Sequence, residues 1–205
     1  MPAPQVFILS PASCGGQRAR LLLNDQAEFA LARQIRTDEG APLGEVFSFL
    51  SGLYFRGKLT YARAFERPAA GVAGIQIITT SRGLQSPGTP IRVADLLEFA
   101  AVPIDNEEPR YRKPFARDVE RLARTLGEEG RAVLLGSVAT AKYIAVLSEL
   151  LGDRLLFPQE FVGRGDMSRG GLMLRSVDEG RELEYVPMAG AIRRGTRPPK
   201  LPRRP

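Results

Sequence analysis

The 205-residue chain has no histidine, no tryptophan and a single cysteine, Cys14. Without histidine, neither Ser-His-Asp nor Cys-His catalysis is available within one chain, and no His-containing zinc site can form. One cysteine makes no intramolecular disulfide and no Cys-rich metal site, and it suits a reducing, cytoplasmic compartment. A catalytic base must therefore be Asp, Glu, Lys, Tyr or the substrate itself. No apolar run approaches the length of a transmembrane helix, so no membrane partner is expected. The opening MPAPQVFILSPASCGG lacks a basic start and reads as a first strand rather than a signal peptide. The P-loop pattern G-x-x-x-x-G-K-[ST] occurs nowhere.

What is present belongs to a globular protein. A hydrophobic fraction of 43% with 25% charged residues places the chain in that class, and its length is enough for a core without staples. The expected organisation is one domain over residues 1–189 and a basic Pro/Arg-rich tail over 190–205. That tail, GAIRRGTRPPKLPRRP, holds Arg193, Arg194, Arg197, Lys200, Arg203 and Arg204 and no acidic residue. Removing these six from the 29 Lys and Arg leaves 23, equal to the 23 Asp and Glu, so the net charge of +6 is the tail's. Such a segment is expected to be extended when free. It reads either as an electrostatic arm for nucleic acid or an acidic protein partner, or as a solubilising terminus.

Apolar runs predict strands at Val6–Leu9, Gly74–Ile78, Arg131–Leu135 and Arg154–Phe157. Between them lie helical patterns. One covers Gln17–Arg36, broken near Asn24-Asp25 with one of these as the second N-cap. Two more fall within residues 43–67, with the joint at Tyr54-Phe55-Arg56. Others cover Ala94–Ala100, Phe115–Leu126 and a stretch from Ser137 or Thr140 to Leu151. Residues 102–112 read as a polar loop, and Leu172–Arg175 and Glu182–Val186 as a last hairpin or edge strands. Strands separated by helices predict a three-layer α/β fold, with a mainly parallel sheet of four to five strands and helices on both faces.

Four Gly/Ser/Thr-rich stretches sit at or just beyond the predicted strand ends. In open α/β sheets ligands bind there, and small residues let backbone N–H groups approach an anion. In the first stretch, Ser10, Ser13, Cys14, Gly15, Gly16 and Arg18 form a candidate anion cradle, with Cys14 a lesser candidate nucleophile. In the second, Thr80, Ser81 and Arg82 are candidate ligand contacts. The third offers Gly136, Ser137 and Thr140 at a helix start, with Lys142 and Tyr143 one turn in. The fourth, Gly163–Gly171, reads as a ligand loop or lid whose glycines core packing does not explain. It supplies Gly163, Arg164, Gly165, Ser168 and Arg169, and Asp166 with Glu160 nearby are the candidate acids or bases. The aromatic stripe of residues 43–67 reads first as core. Arg56 and Lys58, set between those aromatics, form a candidate phosphate-contacting surface.

The order of these motifs, with Ile77-Ile-Thr-Thr-Ser-Arg-Gly-Leu-Gln-Ser-Pro87 as the most specific, resembles small α/β domains with an ILSAKYGLL-x-P motif. Those domains are similar to the uracil-DNA-glycosylase-like domain of archaeosine synthase. The resemblance implies a nucleic-acid or nucleobase context. Arg82 departs from the motif, and the glycosylase histidines are absent. The leading expectation is thus a nucleic-acid- or nucleotide-binding α/β protein whose chemistry, where it has one, falls on a nucleobase or N-glycosidic bond. A non-catalytic interaction subunit of a nucleic-acid-related complex is the alternative, and a mononucleotide enzyme or sensor a third reading. No cofactor is expected, and carboxylate-held Mg²⁺ is left open.

Overall fold

The computed structural model describes residues 3–139, 141–199 and 201. Strands are β1 (Gln5–Leu9), β2 (Ala41–Pro42), β3 (Ile75–Ile78), β4 (Leu84–Gln85), β5 (Pro90–Ile91), β6 (Arg131–Leu135), β7 (Leu155–Pro158) and β8 (Tyr185–Pro187). Helices are α1 (Gln17–Leu23), α2 (Ala30–Gln34), α3 (Leu43–Ser51), α4 (Leu53–Phe65), α5 (Val93–Ala101), α6 (Pro109–Leu126), α7 (Ala141–Leu151) and α8 (Asp166–Asp178). The main sheet runs β4-β3-β1-β6-β7-β8, and β2 pairs with β5 separately. β3, β1, β6 and β7 are parallel, while the short edge strands β4 and β8 are antiparallel and extend the sheet to six.

β1 is central because nothing in Val6–Leu9 tolerates water, and all four residues are fully buried. Phe7 faces Ile75 on one side and Val133 on the other. Side chains alternate between the faces of a sheet, so β1 feeds two cores. Phe7 and Leu9 pack with α1 to α5 and α8, whereas Val6 and Ile8 pack with α6 and α7. This is the three-layer, mainly parallel arrangement expected from the sequence.

Several boundaries differ. Asn24 does not cap α2. It ends α1, its side chain accepts from the Gln26 N–H at 3.0 Å, and Phe29 precedes α2. The joint between α3 and α4 is Gly52, whose φ of +60° lies in the region only glycine occupies readily, so Tyr54-Phe55-Arg56 are helical. The loop after Val102 is shorter than expected. Pro109 occupies the first turn of α6, and the Glu108 side chain accepts from Arg110 N–H at 3.0 Å.

The largest correction concerns residues 163–175. Leu172–Arg175 is not a strand, and most of the predicted ligand loop is α8. Core packing does explain one of its glycines. A Cβ on Gly170 would lie 2.8 Å from Leu53 O, and one on Gly57 only 2.7 Å from Gly170 O. α4 and α8 therefore cross backbone against backbone, glycine facing glycine. Gly163, with φ +71°, is needed for another reason, since a side chain there would strike Thr196 O at 2.2 Å.

At the start of β1, a polar clasp joins segments distant in sequence. Glu182 accepts from Gln5 at 2.6 Å, Arg67 at 2.9 Å and Tyr185 at 2.8 Å, and the Tyr185 and Tyr61 hydroxyls meet at 2.6 Å. After β8 the chain has no helix or strand through Pro199. It is tied down by Arg164, which donates to Pro199 O at 3.5 Å, and by Arg194, which donates to Ala139 O at 3.4 Å. Lys200, Arg203 and Arg204 lie outside the described residues, as does Thr140. No described helix is long and apolar enough to cross a membrane.

Because neither backbone at the α4–α8 crossing has room for a methyl group, Gly57→Ala and Gly170→Ala are each expected to lower stability by about 1–3 kcal/mol, measured by chemical denaturation. Gly88→Ala, where a Cβ meets nothing within 4 Å, is the matched control.

Candidate functional site

Reversal of strand order places β1 between β3, reached over one face, and β6, reached over the other. The connections after β1 and β6 therefore leave in opposite directions, and a crevice opens beyond their carboxyl ends. It is a cleft of about 640 Å³. The residues just past each strand line it: Ser10, Pro11, Ala12, Ser13, Cys14 and Gly15 after β1, Thr80 after β3 and Ser137 after β6. Gly136 lets the strand ends close up, since a Cβ there would sit 2.9 Å from the Ser10 Cβ. The walls are Ser51 and Tyr54 from α3 and α4, Phe99, Ala100, Val102 and Ile104 from α5 and its exit, Lys142 and Tyr143 from α7, and Asp166 at the start of α8.

Beneath Ser10 lies Lys58, fully buried. Its Nζ is 2.6 Å from Ser10 O and 2.9 Å from Ser10 Oγ, and 4.5 and 4.6 Å from the ring centroids of Tyr54 and Phe55. Burial is the main force on this amine. It drives the pKa from 10.5 down to about 7, with nearby Asp166 opposing and Arg169 assisting. Lys58 was expected on a phosphate-contacting surface, and the structure corrects this: of the pair, only Arg56 is exposed. The two residues differ by two positions, which on a helix turns one inward when the other faces out.

The Tyr143 hydroxyl sits against Ser10 and the Ser137 backbone, and burial pushes its pKa up. Tyr54 Oη is buried against the Arg169 guanidinium. The Cys14 thiol is also buried and donates to Ala12 O at 3.6 Å. Burial lifts its pKa to about 12, which disfavours the thiolate that a nucleophile needs.

The residues singled out by sequence divide between two places. Ser10, Ser13, Cys14, Gly15, Thr80, Ser137 and Asp166 line the cleft, with Gly136 behind Ser10 and Gly16 just past the loop at the start of α1. Arg164, Gly165 and Ser168 line a separate recess of about 310 Å³, together with Arg175, Arg197 and Pro199. Others hold the fold. Arg18 donates to Phe49 O at 3.0 Å. Arg82 pairs with Asp95 at 2.6 Å and Glu98 at 2.5 Å, and Ser81 also bonds Glu98. The Thr80 hydroxyl is engaged by Phe99 O at 2.8 Å. Arg169 is buried and donates to Phe161 O at 3.1 Å and to Asp166 at 3.4 Å. Glu160 is away from the cleft, with one carboxylate oxygen buried and unpartnered. Tyr54, Phe99 and Tyr143 were not selected as site residues from the sequence. Tyr143 had a usable signal, because it lies one turn into the helix that Ser137 introduces.

What the cleft offers is one carboxylate, Asp166, whose side chain is 64% exposed, one surface ammonium, Lys142, three aromatic rings and several hydroxyls. The described residues contain no group of three or more Cys, Asp or Glu arranged to hold a metal.

Two measurements follow from the buried groups. Between about pH 7 and 10.5 the unfolded chain keeps the Lys58 proton that the folded chain has released, so the contribution of Lys58 to stability improves as pH rises through that window. The melting-temperature difference of Lys58→Met minus the unchanged protein should therefore fall from pH 7 to pH 10, and a flat difference would show that the amine is not depressed. Cys14 should resist iodoacetamide at pH 8 in the native protein and react fully in denaturant, as read by intact mass. No protein-family model matches this chain, and no curated protein or solved structure is significantly similar to it.

Proposed function

We propose that the crevice beyond β1 and β6 binds a nucleobase-bearing ligand, either a nucleotide or an exposed nucleotide of a nucleic acid, in a cytoplasmic protein. Asp166 is the acid–base residue positioned to act on the base or its N-glycosidic bond. The observation that carries this reading is the cleft at the carboxyl ends of β1, β3 and β6, where the rings of Tyr54, Phe99 and Tyr143 surround the small polar loop after β1. The rings of Tyr54, Phe99 and Tyr143 supply apolar surface for a planar group. The cleft volume suits a mononucleotide.

Charge supports the same reading. Lys142 lines the cleft and supplies a positive charge there. The main-chain N–H groups of Ala12, Ser13, Cys14 and Gly15 donate to no protein acceptor among the described residues. Arg193, Arg194 and Arg197 are exposed, and Arg194 reaches Ala139, two residues beyond Ser137 of the cleft. A polynucleotide seated in the cleft would run onto this basic segment.

The test is calorimetric titration with nucleosides, mononucleotides and short single-stranded DNA and RNA at two salt concentrations. Nucleotide binding should weaken about tenfold in Tyr54→Ala, which removes one ring of the cleft wall. Polymer binding should lose most of its salt dependence when residues 190–205 are removed, while mononucleotide binding is unchanged. No binding of any base-bearing ligand at millimolar concentration would sink the reading.

A further inference from the structure

We propose that Ser10 is a nucleophile and Lys58 its general base, forming a Ser–Lys pair that attacks the acyl carbon of a carboxylic ester or amide held in the cleft. This goes beyond nucleotide binding and does not depend on it.

The geometry comes first. Ser10 immediately follows the central strand and lines the cleft, while Lys58 lies wholly behind it, against the Ser10 hydroxyl. Nζ has two contacts on Ser10, the carbonyl oxygen at 2.6 Å and Oγ at 2.9 Å. A neutral amine satisfies both at once: it donates one N–H to the carbonyl, and its lone pair accepts the Oγ proton. An ammonium can only donate to both. Burial favours the neutral form at and above neutrality. The groups facing Lys58 are Ser10 after β1, Tyr54 and Phe55 on α4, and Asp166 with Arg169 on α8, while Tyr143 on α7 meets Ser10. Asp166 and Arg169 oppose each other in sign and are themselves paired, which leaves burial in control. Ser10 is also fixed from its other side, by Gly136 and the Tyr143 hydroxyl. Ala12 to Gly15 line the same cleft, and their main-chain N–H groups, which have no protein acceptor among the described residues, are available as donors for an oxyanion.

The reaction closes without a cofactor. Ser10 Oγ bonds to the acyl carbon as its proton passes to Lys58, giving a tetrahedral oxyanion. Collapse of that oxyanion breaks the bond to the alkoxide or amide leaving group, which takes a proton from a cleft water. The hydroxide so formed attacks the acyl-serine, the Ser10 oxyanion departs with the electron pair of the broken ester bond, and it recovers its proton from Lys58. The sum is hydrolysis of one ester or amide by one water.

A small alkyl fluorophosphonate tests this on the full chain, because it reports the nucleophile whatever the natural substrate. Ser10 Oγ displaces fluoride from phosphorus and Lys58 takes the proton. Intact mass and peptide mapping should show one adduct, on Ser10, absent in Ser10→Ala. The labelling rate should rise with pH and level off above about pH 7. Lys58→Met should slow labelling by about 100-fold or more at pH 8, with the circular dichroism spectrum retained. Should that variant not fold, the plateau in the pH profile of the unchanged protein decides the matter. An unassisted serine reacts in proportion to hydroxide and shows no plateau. An absent adduct, an undiminished rate in folded Lys58→Met, or a rate still climbing to pH 10 would each overturn the proposal. The probe carries no base, so none of these results bears on nucleotide binding.

Discussion

The closeness of α4 and α8 at Gly57 and Gly170 is the constraint on which the site rests. Two helices touching backbone to backbone exclude water along their seam, and whatever side chain α4 directs toward the sheet beside that seam is sealed. Lys58, adjacent to Gly57, is that side chain. The same crossing sets α8 so that its first residue, Asp166, reaches the cleft while Arg169, one turn later, is trapped against Phe161. A wider crossing would hydrate the amine, restore its charge and loosen its hold on Ser10.

Burial then makes opposite use of two cations. Arg169 presents its planar fork to a carbonyl and a carboxylate. Lys58 touches a serine and aromatic faces, and the pull of Asp166 on it is opposed by Arg169, so together they stabilise an ammonium too weakly to offset its lost hydration. A charged guanidinium and a readily discharged amine therefore coexist within one polar cluster.

The layers of the fold were legible because strands buried on both faces read as unbroken apolar runs, as in VFIL and AVLL. Ser10, Thr80 and Ser137 were legible for a related reason: residues that follow such runs fall at the carboxyl edge of the sheet. α8 was not, because glycine marks loops in a sequence and close helix crossings in a structure, and Gly170 does the second. Lys58 was hidden for want of any local sign that its helix turns it inward. Tyr54, Phe99 and Tyr143 come from helices on different sides of the sheet, and only the assembled layers bring them over one strand end.

The central position of β1 carries a consequence for how the molecule is made. Its residues leave the ribosome well before their partners in β3 and β6, which follow some 70 and 125 positions later, and Glu182, which holds Gln5, later still. This apolar segment therefore waits, unpaired on both edges, until those strands have been made. Non-local pairing of this kind folds slowly, so this strand is the segment most in need of shielding during synthesis.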